Sequence, residues 1–315
     1  MLYQLLLWPA RFFIPLYFKR IRINKPGMLN EKGPLLIAAN HPNSFLDAIL
    51  LSALFKHPVH SLARGDAFAT KFFTRILTSM NMLPVYRVSE GVQNLDNNYT
   101  TFDKCQQLFI EKKIVLIFSE GRCINEWHLR PLKKGTARLA MSAWQLNSPL
   151  NVLPLGFNYS SFRSIGKEVH LNFGEFIDLG DMYEDLSSGK AIVEFNEMLK
   201  EQLKSLVYEI PMGDTQKLRD YFSEPSTLRR LLVAVPATIG FILNAPLYFL
   251  FHLIIKDRSV DHYDSVMTGL MFLLYPIYVI VVSGVSILLT GNWCYLLLLA
   301  IMPLMGICYI RFKKK

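Results

Sequence analysis

The sequence predicts an α/β domain with a mostly parallel sheet sandwiched by helices, preceded by an N-terminal interfacial helix and followed by a C-terminal helical membrane region. Three observations predict it. From Pro34 to about Leu206, short apolar runs alternate with longer segments of helical period, the order that builds a sheet with helices on its faces. The runs are rich in Ile, Leu and Val and do not alternate with polar residues, as strands buried on both faces do not. Beyond about residue 230 the composition turns almost wholly apolar. Hydrophobic residues make up 51% of the 315-residue chain and mean hydropathy is +0.25, above the soluble average.

Residues 1–23, "MLYQLLLWPARFFIPLYFKRIRI", place Leu, Trp, Phe and Tyr ahead of Lys19, Arg20 and Arg22. That composition suits a segment lying at a membrane interface with its cations toward anionic headgroups. Pro9, Arg11 and Pro15 interrupt it, and it has neither a basic n-region nor an A-x-A site, so it reads as retained rather than as a cleaved signal. Strands follow at 34–39, 58–63, 82–86, 113–120, 151–157 and 168–173, and helices at 45–56, 66–80, 99–112, 134–146 and 189–208. After a polar connector come 231–254, 266–290 and 293–310, essentially uncharged and of lengths that suit a bilayer. The expected division is 1–30 as a membrane-interface segment, 31–210 as the α/β domain, 211–230 as connector and 231–315 as membrane region.

Charge orients the last part. If all three apolar segments crossed from a cytoplasmic domain, "RFKKK" at 311–315 would lie outside, against the positive-inside tendency. With 231–254, which holds Pro236, Asn244 and Pro246, at or dipping into the interface, 266–290 and 293–310 form a hairpin turning at Gly291 and Asn292. The cationic clusters, Lys19, Arg20, Arg229 and Arg230 included, then share one side with the terminal lysines.

A net charge of +9 and a pI near 9.3 fit nucleic acid, an anionic membrane or phosphorylated substrates. The apolar segments put membrane and phosphate first, and no nucleic acid is expected. Cys105, Cys123, Cys294 and Cys308 are unclustered, so neither a metal site nor a disulfide framework is expected and the compartment reads as reducing.

The stretch "AANHPNSFLDAIL" carries the chemistry. His41 follows a predicted strand in a Pro/Asn/Ser turn that opens a helix, at the carboxyl end of a strand, where open α/β sheets place their sites. Ser44 reads as an N-cap and Asp47, three residues on, completes a capping-box-like start. A carboxylate that accepts from one imidazole nitrogen fixes the tautomer and leaves the other as a base toward a substrate hydroxyl. The stretch taken alone equally allows a capping Asp beside an incidental surface His. No GxSxG is present, and neither Cys105 nor Cys123 has the context of a nucleophile, which disfavours a hydrolase and leaves direct attack by a substrate hydroxyl.

Arg87 ends "MLPVYR", Glu120-Gly121-Arg122 end the strand in "IFSEGRCINE", and Lys133 and Lys134 lead "RPLKKGTARLA" into a helix. Singly these read as solvated cations or a surface ion pair. Together they set several cations at strand ends of the sheet that carries His41, as a phosphate-bearing acceptor would need. His57, His60, His128 and His170 are scattered and read as strand-end or surface histidines.

In order, "NHPNSFLD", "GDAF…MLPVYR", "FSEGRCINE…LKKGTA" and "VLPLGF" resemble the four blocks of the glycerol-phosphate and lysophospholipid acyltransferases over roughly residues 34–175. The resemblance implies O-acylation of 1-acylglycerol 3-phosphate or a related lysophospholipid from acyl-CoA or acyl-carrier protein, with His41 as base and Asp47 orienting it. It sets Arg87, Glu120, Gly121 and Arg122 at the acceptor phosphate, Pro154 at the acyl chain or donor, and the Gly65-Asp66 turn near the acyl-chain pocket. Two departures mark a divergent subgroup. His41 and Asp47 enclose five residues rather than four, and Ser119 replaces a proline while the threonine of F-P-E-G-T-R is absent. The expectation is a membrane enzyme with its α/β domain on the cytoplasmic face, in contact with membrane lipids and using no metal or cofactor. The alternatives are acylation of glycerol 3-phosphate, dihydroxyacetone phosphate or a lyso-aminolipid, or a non-catalytic lipid-binding membrane protein, which would have no need of a base with an orienting carboxylate.

Overall fold

The structure, a computed structural model, describes residues 2–86, 97–222, 227–255 and 262–313. Its strands are β1 (Arg20–Ile23), β2 (Leu35–Ala39), β3 (Val59–Arg64), β4 (Met82–Val85), β5 (Ile114–Phe118), β6 (Asn151–Tyr159) and β7 (Glu168–Phe173). Its helices are α1 (Leu2–Tyr17), α2 (Phe45–Leu54), α3 (Lys71–Ser79), α4 (Asn97–Ile110), α5 (Gly135–Gln145), α6 (Gly189–Leu206), α7 (Thr215–Tyr221), α8 (Thr227–Ile255), α9 (Tyr263–Thr290) and α10 (Leu298–Phe312).

The strands form one sheet in the order β1-β7-β6-β2-β5-β3-β4. All neighbours are parallel except β6 and β7. The central strand shows why the fold is a sandwich. Every residue of β2, Leu-Leu-Ile-Ala-Ala, is buried, and successive side chains point to opposite faces. Leu35, Ile37 and Ala39 join Leu46, Leu50 and Phe55 on one face. Leu36 and Ala38 join Phe109, Trp144, Phe195 and Leu199 on the other. Neither face meets water, so alternation has nothing to select and the run reads as continuously apolar.

All six expected strands form, and the seventh lies where an interfacial segment was expected. Arg20–Ile23 pairs with β7 at the sheet edge, where Arg20 and Arg22 reach the buried carboxylate of Glu168. Four residues of alternating Arg and Ile make a weak strand signal, and their charge outweighed it. The stretch expected as one helix at 66–80 divides into a 3₁₀ turn, Gly65–Phe68, and α3. Thr70 causes the division by capping α3, its side chain accepting from the Phe73 N–H.

Three spans, Arg230–Ile255, Tyr263–Thr290 and Trp293–Phe312, are long and apolar enough to cross a membrane. Helix α8 runs unbroken through Pro236 and Pro246 and packs closely on α10. A Cβ at Gly240 would come within 2.1 Å of the Met305 carbonyl, and glycine permits that approach between helices. Both ends of α8 are tied to its neighbouring helices α10 and α9. Arg230 Nε donates to Phe312 O, beside Lys313, whose carbonyl accepts from Lys19. At the other end His252 Nδ1 lies 2.8 Å from the Tyr263 hydroxyl, at the start of α9.

Candidate active site

Because β2, β5 and β6 run parallel, their carboxyl ends open on one edge of the sheet. The β2–α2 turn carries His41 there. Its Nδ1 lies 3.0 Å from Asp47 Oδ2, and its ring stacks on Phe118 at the end of β5, centroids 3.7 Å apart. Asp47 is fully buried in the first turn of α2. Its Oδ2 also accepts the Asn43 N–H at 2.9 Å, and its Oδ1 accepts the Tyr159 hydroxyl at 2.7 Å from the end of β6. An acceptor-only carboxylate so placed makes Nδ1 of a neutral imidazole the donor and leaves Nε2 as the basic nitrogen. Burial, with the charge of Asp47 beside it, pushes the Tyr159 phenol well above its ordinary pKa, so it stays a donor.

The capping box expected of Ser44 and Asp47 does not form. Ser44 stands at the N-cap position with φ 52°, and its side chain makes no capping hydrogen bond. Asp47 is committed to His41, Asn43 and Tyr159, while Ser44 Oγ lies 2.8 Å from His262 Nδ1 and the Ser44 N–H points at Cys123 Sγ. A non-glycine residue at positive φ is strained backbone, and such strain gathers where a turn is held by its surroundings.

Glu120 sits beside this turn. Its two oxygens accept the backbone N–H groups of His41, at 2.8 Å, and of Arg130, at 2.9 Å. Burial raises its pKa to about 7, against the lowering effect of those two hydrogen bonds. The carboxyl thus fastens the histidine turn to the loop after β5, where Ile124 N and Asn125 Nδ2 donate to the carbonyls of His41 and Pro42. Gly121 turns the chain at φ +66°, with Lys133 Cγ 3.0 Å from where a Cβ would stand. Arg122, Lys133 and Lys134 are exposed around that loop. Arg87 lies outside the described residues. The Gly65-Asp66 turn stands at the end of β3, with Asp66 paired to Arg64. His170 is buried between Glu168 and Tyr208 and His128 pairs with Glu209, so both serve packing and ion pairing.

The acyltransferase family model matches residues 20–158, a span that opens on β1 and contains His41, Asp47 and Glu120. That stretch is similar to the acyltransferase family. Among curated proteins none matches the chain. Among solved structures, the 1-acyl-sn-glycerophosphate (LPA) acyltransferase PlsC of Thermotoga maritima is similar at 14% identity and a TM-score of 0.42, over 65% of this chain and 77% of that one.

Residues that the sequence did not point to also surround the His41–Asp47 pair. Tyr159 lies one position past the family match and two past "VLPLGF", and nothing local marks a strand tyrosine as a carboxylate's partner. Phe118 read as an ordinary strand residue. In the sequence Asn43 reads only as a turn former, yet its backbone bonds to Asp47 and its side chain to Asp264. Buried Lys167 pairs with Asp264, 97 positions later by their numbers, a separation at which no sequence motif operates.

Proposed function

We propose that the protein is a membrane-bound O-acyltransferase that moves an acyl chain from acyl-CoA or acyl-carrier protein to the hydroxyl of 1-acylglycerol 3-phosphate or a related lysophospholipid. The observation that carries this reading is the His41–Asp47 pair, which points a basic Nε2 away from a buried carboxylate. In this scheme Nε2 takes the proton as the acceptor oxygen attacks the thioester carbonyl. The C–S bond then breaks, and the imidazolium gives its proton to the leaving thiolate, which restores the neutral base. A thioester is a good acyl donor, so a positioned base and held substrates supply most of what the reaction needs.

Phosphate recognition is assigned to Arg87, Arg122, Lys133 and Lys134, with Gly121 shaping the loop. Glu120 acts indirectly, by holding the His41 N–H. No metal or cofactor enters the scheme. The α/β domain is placed on the cytoplasmic face, with α9 and α10 crossing as a hairpin and α8 along the interface. That topology is supported by the two ends of α8, which bond to the end of α10 and the start of α9, and by Lys313 beside Lys19. It is supported too by α1, which turns Leu5, Trp8 and Phe12 outward as an interfacial helix would.

The test supplies purified protein in detergent with labelled palmitoyl-CoA and a panel of acceptors: glycerol 3-phosphate, dihydroxyacetone phosphate, lysophosphatidic acid, other lysophospholipids and a lyso-aminolipid. Label is expected in phosphatidic acid or a diacyl phospholipid. Label only in an acylated glycerol 3-phosphate or dihydroxyacetone phosphate would move the enzyme one step earlier, and no transfer to any acceptor would overturn the reading.

A further inference from the structure

The family match ends at residue 158, yet the turn that carries His41 is held from outside it. Asn43 is fully buried, and its Nδ2 donates to Asp264 Oδ2 at 2.8 Å. Asp264 lies in the first turn of α9, the helix that continues as an apolar span. The next residue, Ser265, clasps the same turn: its Oγ accepts the Leu46 N–H at 3.2 Å and donates to Asn43 O at 3.1 Å. His262, before the helix, lies on Ser44 Oγ. Three successive contacts therefore join α9 to the base: Asp264 to the Asn43 amide, the Asn43 N–H to Asp47, and Asp47 to His41.

Asp264 is itself fixed. It is buried with Lys167, to which it is ion-paired, and accepts the Tyr17 hydroxyl of α1 at 3.3 Å. A buried carboxylate persists only if paired and hydrogen-bonded, and here its partners come from α1, the β6–β7 turn and the histidine turn. We infer that Asp264 and Ser265 are positioning residues, through which the seating of the membrane helix α9 sets the geometry of the His41–Asp47 pair. Ser44, at φ 52° without a capping bond of its own, marks the place where that turn relies on outside support. Where the chain enters the apolar span is thus also where the catalytic turn is clamped, so loosening α9 loosens the base.

This inference rests on His41 as the base, and one set of variants separates the two. Full-length wild type, His41→Ala, Asn43→Ala, Asp264→Asn, Ser265→Ala and the Asn43→Ala/Asp264→Asn double variant are purified in detergent. They are assayed with palmitoyl-CoA and the acceptor that the wild type acylates, and folded protein is quantified by size exclusion. Misplacement of a catalytic group by about 1 Å can cost about 100-fold. Asp264→Asn and Asn43→Ala should each lose kcat on that order, with both KM values within about twofold. The double variant should be no slower than the slower single, because Asp264 acts through Asn43, whereas two independent structural defects would multiply. Ser265→Ala leaves the Lys167 pair intact and should lose kcat by a smaller factor, which decides the matter if Asp264→Asn does not fold. Wild-type kcat in folded Ser265→Ala and Asp264→Asn, losses confined to KM, or multiplying losses would each overturn the inference. An active His41→Ala would overturn the base assignment beneath it.

Discussion

Replacing His41 by alanine should abolish acyl transfer while leaving a folded, membrane-inserted protein. General-base catalysis contributes about 10²–10⁴-fold, and here the ring also sits between its orienting carboxylate and Phe118, so the loss should be at least of that order. The fold should survive, because Asp47 keeps the Asn43 N–H on Oδ2 and the Tyr159 hydroxyl on Oδ1. No buried carboxylate is left without donors, the usual cause of large destabilisation. The check is kcat per folded molecule, with thermal unfolding followed in the same detergent. Substantial activity in a well-folded variant would remove His41 from the chemistry.

Asp47→Asn should be nearly as damaging, by about 10⁴-fold if it behaves as the equivalent change does in a Ser-His-Asp triad. The reason lies in donor counting. Asp47 accepts from His41, the Asn43 N–H and Tyr159, and an amide has only one accepting oxygen. Its NH₂ must then face a donor, or donate to Nδ1 and drive the imidazole proton onto Nε2, the nitrogen needed as base. A buried donor left unsatisfied also costs about 1–3 kcal/mol of stability. Were Asp47 only a helix cap, asparagine would be an equally good one, so near-wild-type kcat would return it to that role.

Much of the domain was legible because its signals are local. Every residue of β2 is buried, and its unalternating apolar run announces that directly. The His41–Asp47 pair was legible as two chemical types flanking a turn at a strand end. What could not be read there is how the pair is held. The capping box was the local solution, and it lost because Asp47 meets Tyr159 from 112 positions away and Ser44 meets His262 from 218 away. From the sequence Glu120 reads as a residue at the acceptor phosphate, while its grip on the His41 N–H depends on β2 and β5 being neighbours, a fact of topology. β1 was missed because two of its four residues are arginines, whose partner Glu168 lies far along the chain. Asp264 left one usable trace: a carboxylate at the threshold of an apolar span is costly unless paired.

In the proposed mechanism the acceptor hydroxyl, deprotonated by His41, attacks the thioester directly, with no enzyme-bound acyl intermediate. Cys123 makes this testable, since its Sγ lies 3.0 Å from the Ser44 N–H inside the site and a cysteine there is the natural rival nucleophile. Wild-type protein would be incubated with palmitoyl-CoA radiolabelled in the acyl chain without acceptor, denatured, and counted for protein-bound label. Direct attack predicts no covalent label and free CoA released only once acceptor is added. Label approaching one acyl group per chain, removed by hydroxylamine and lost in Cys123→Ala, would contradict it.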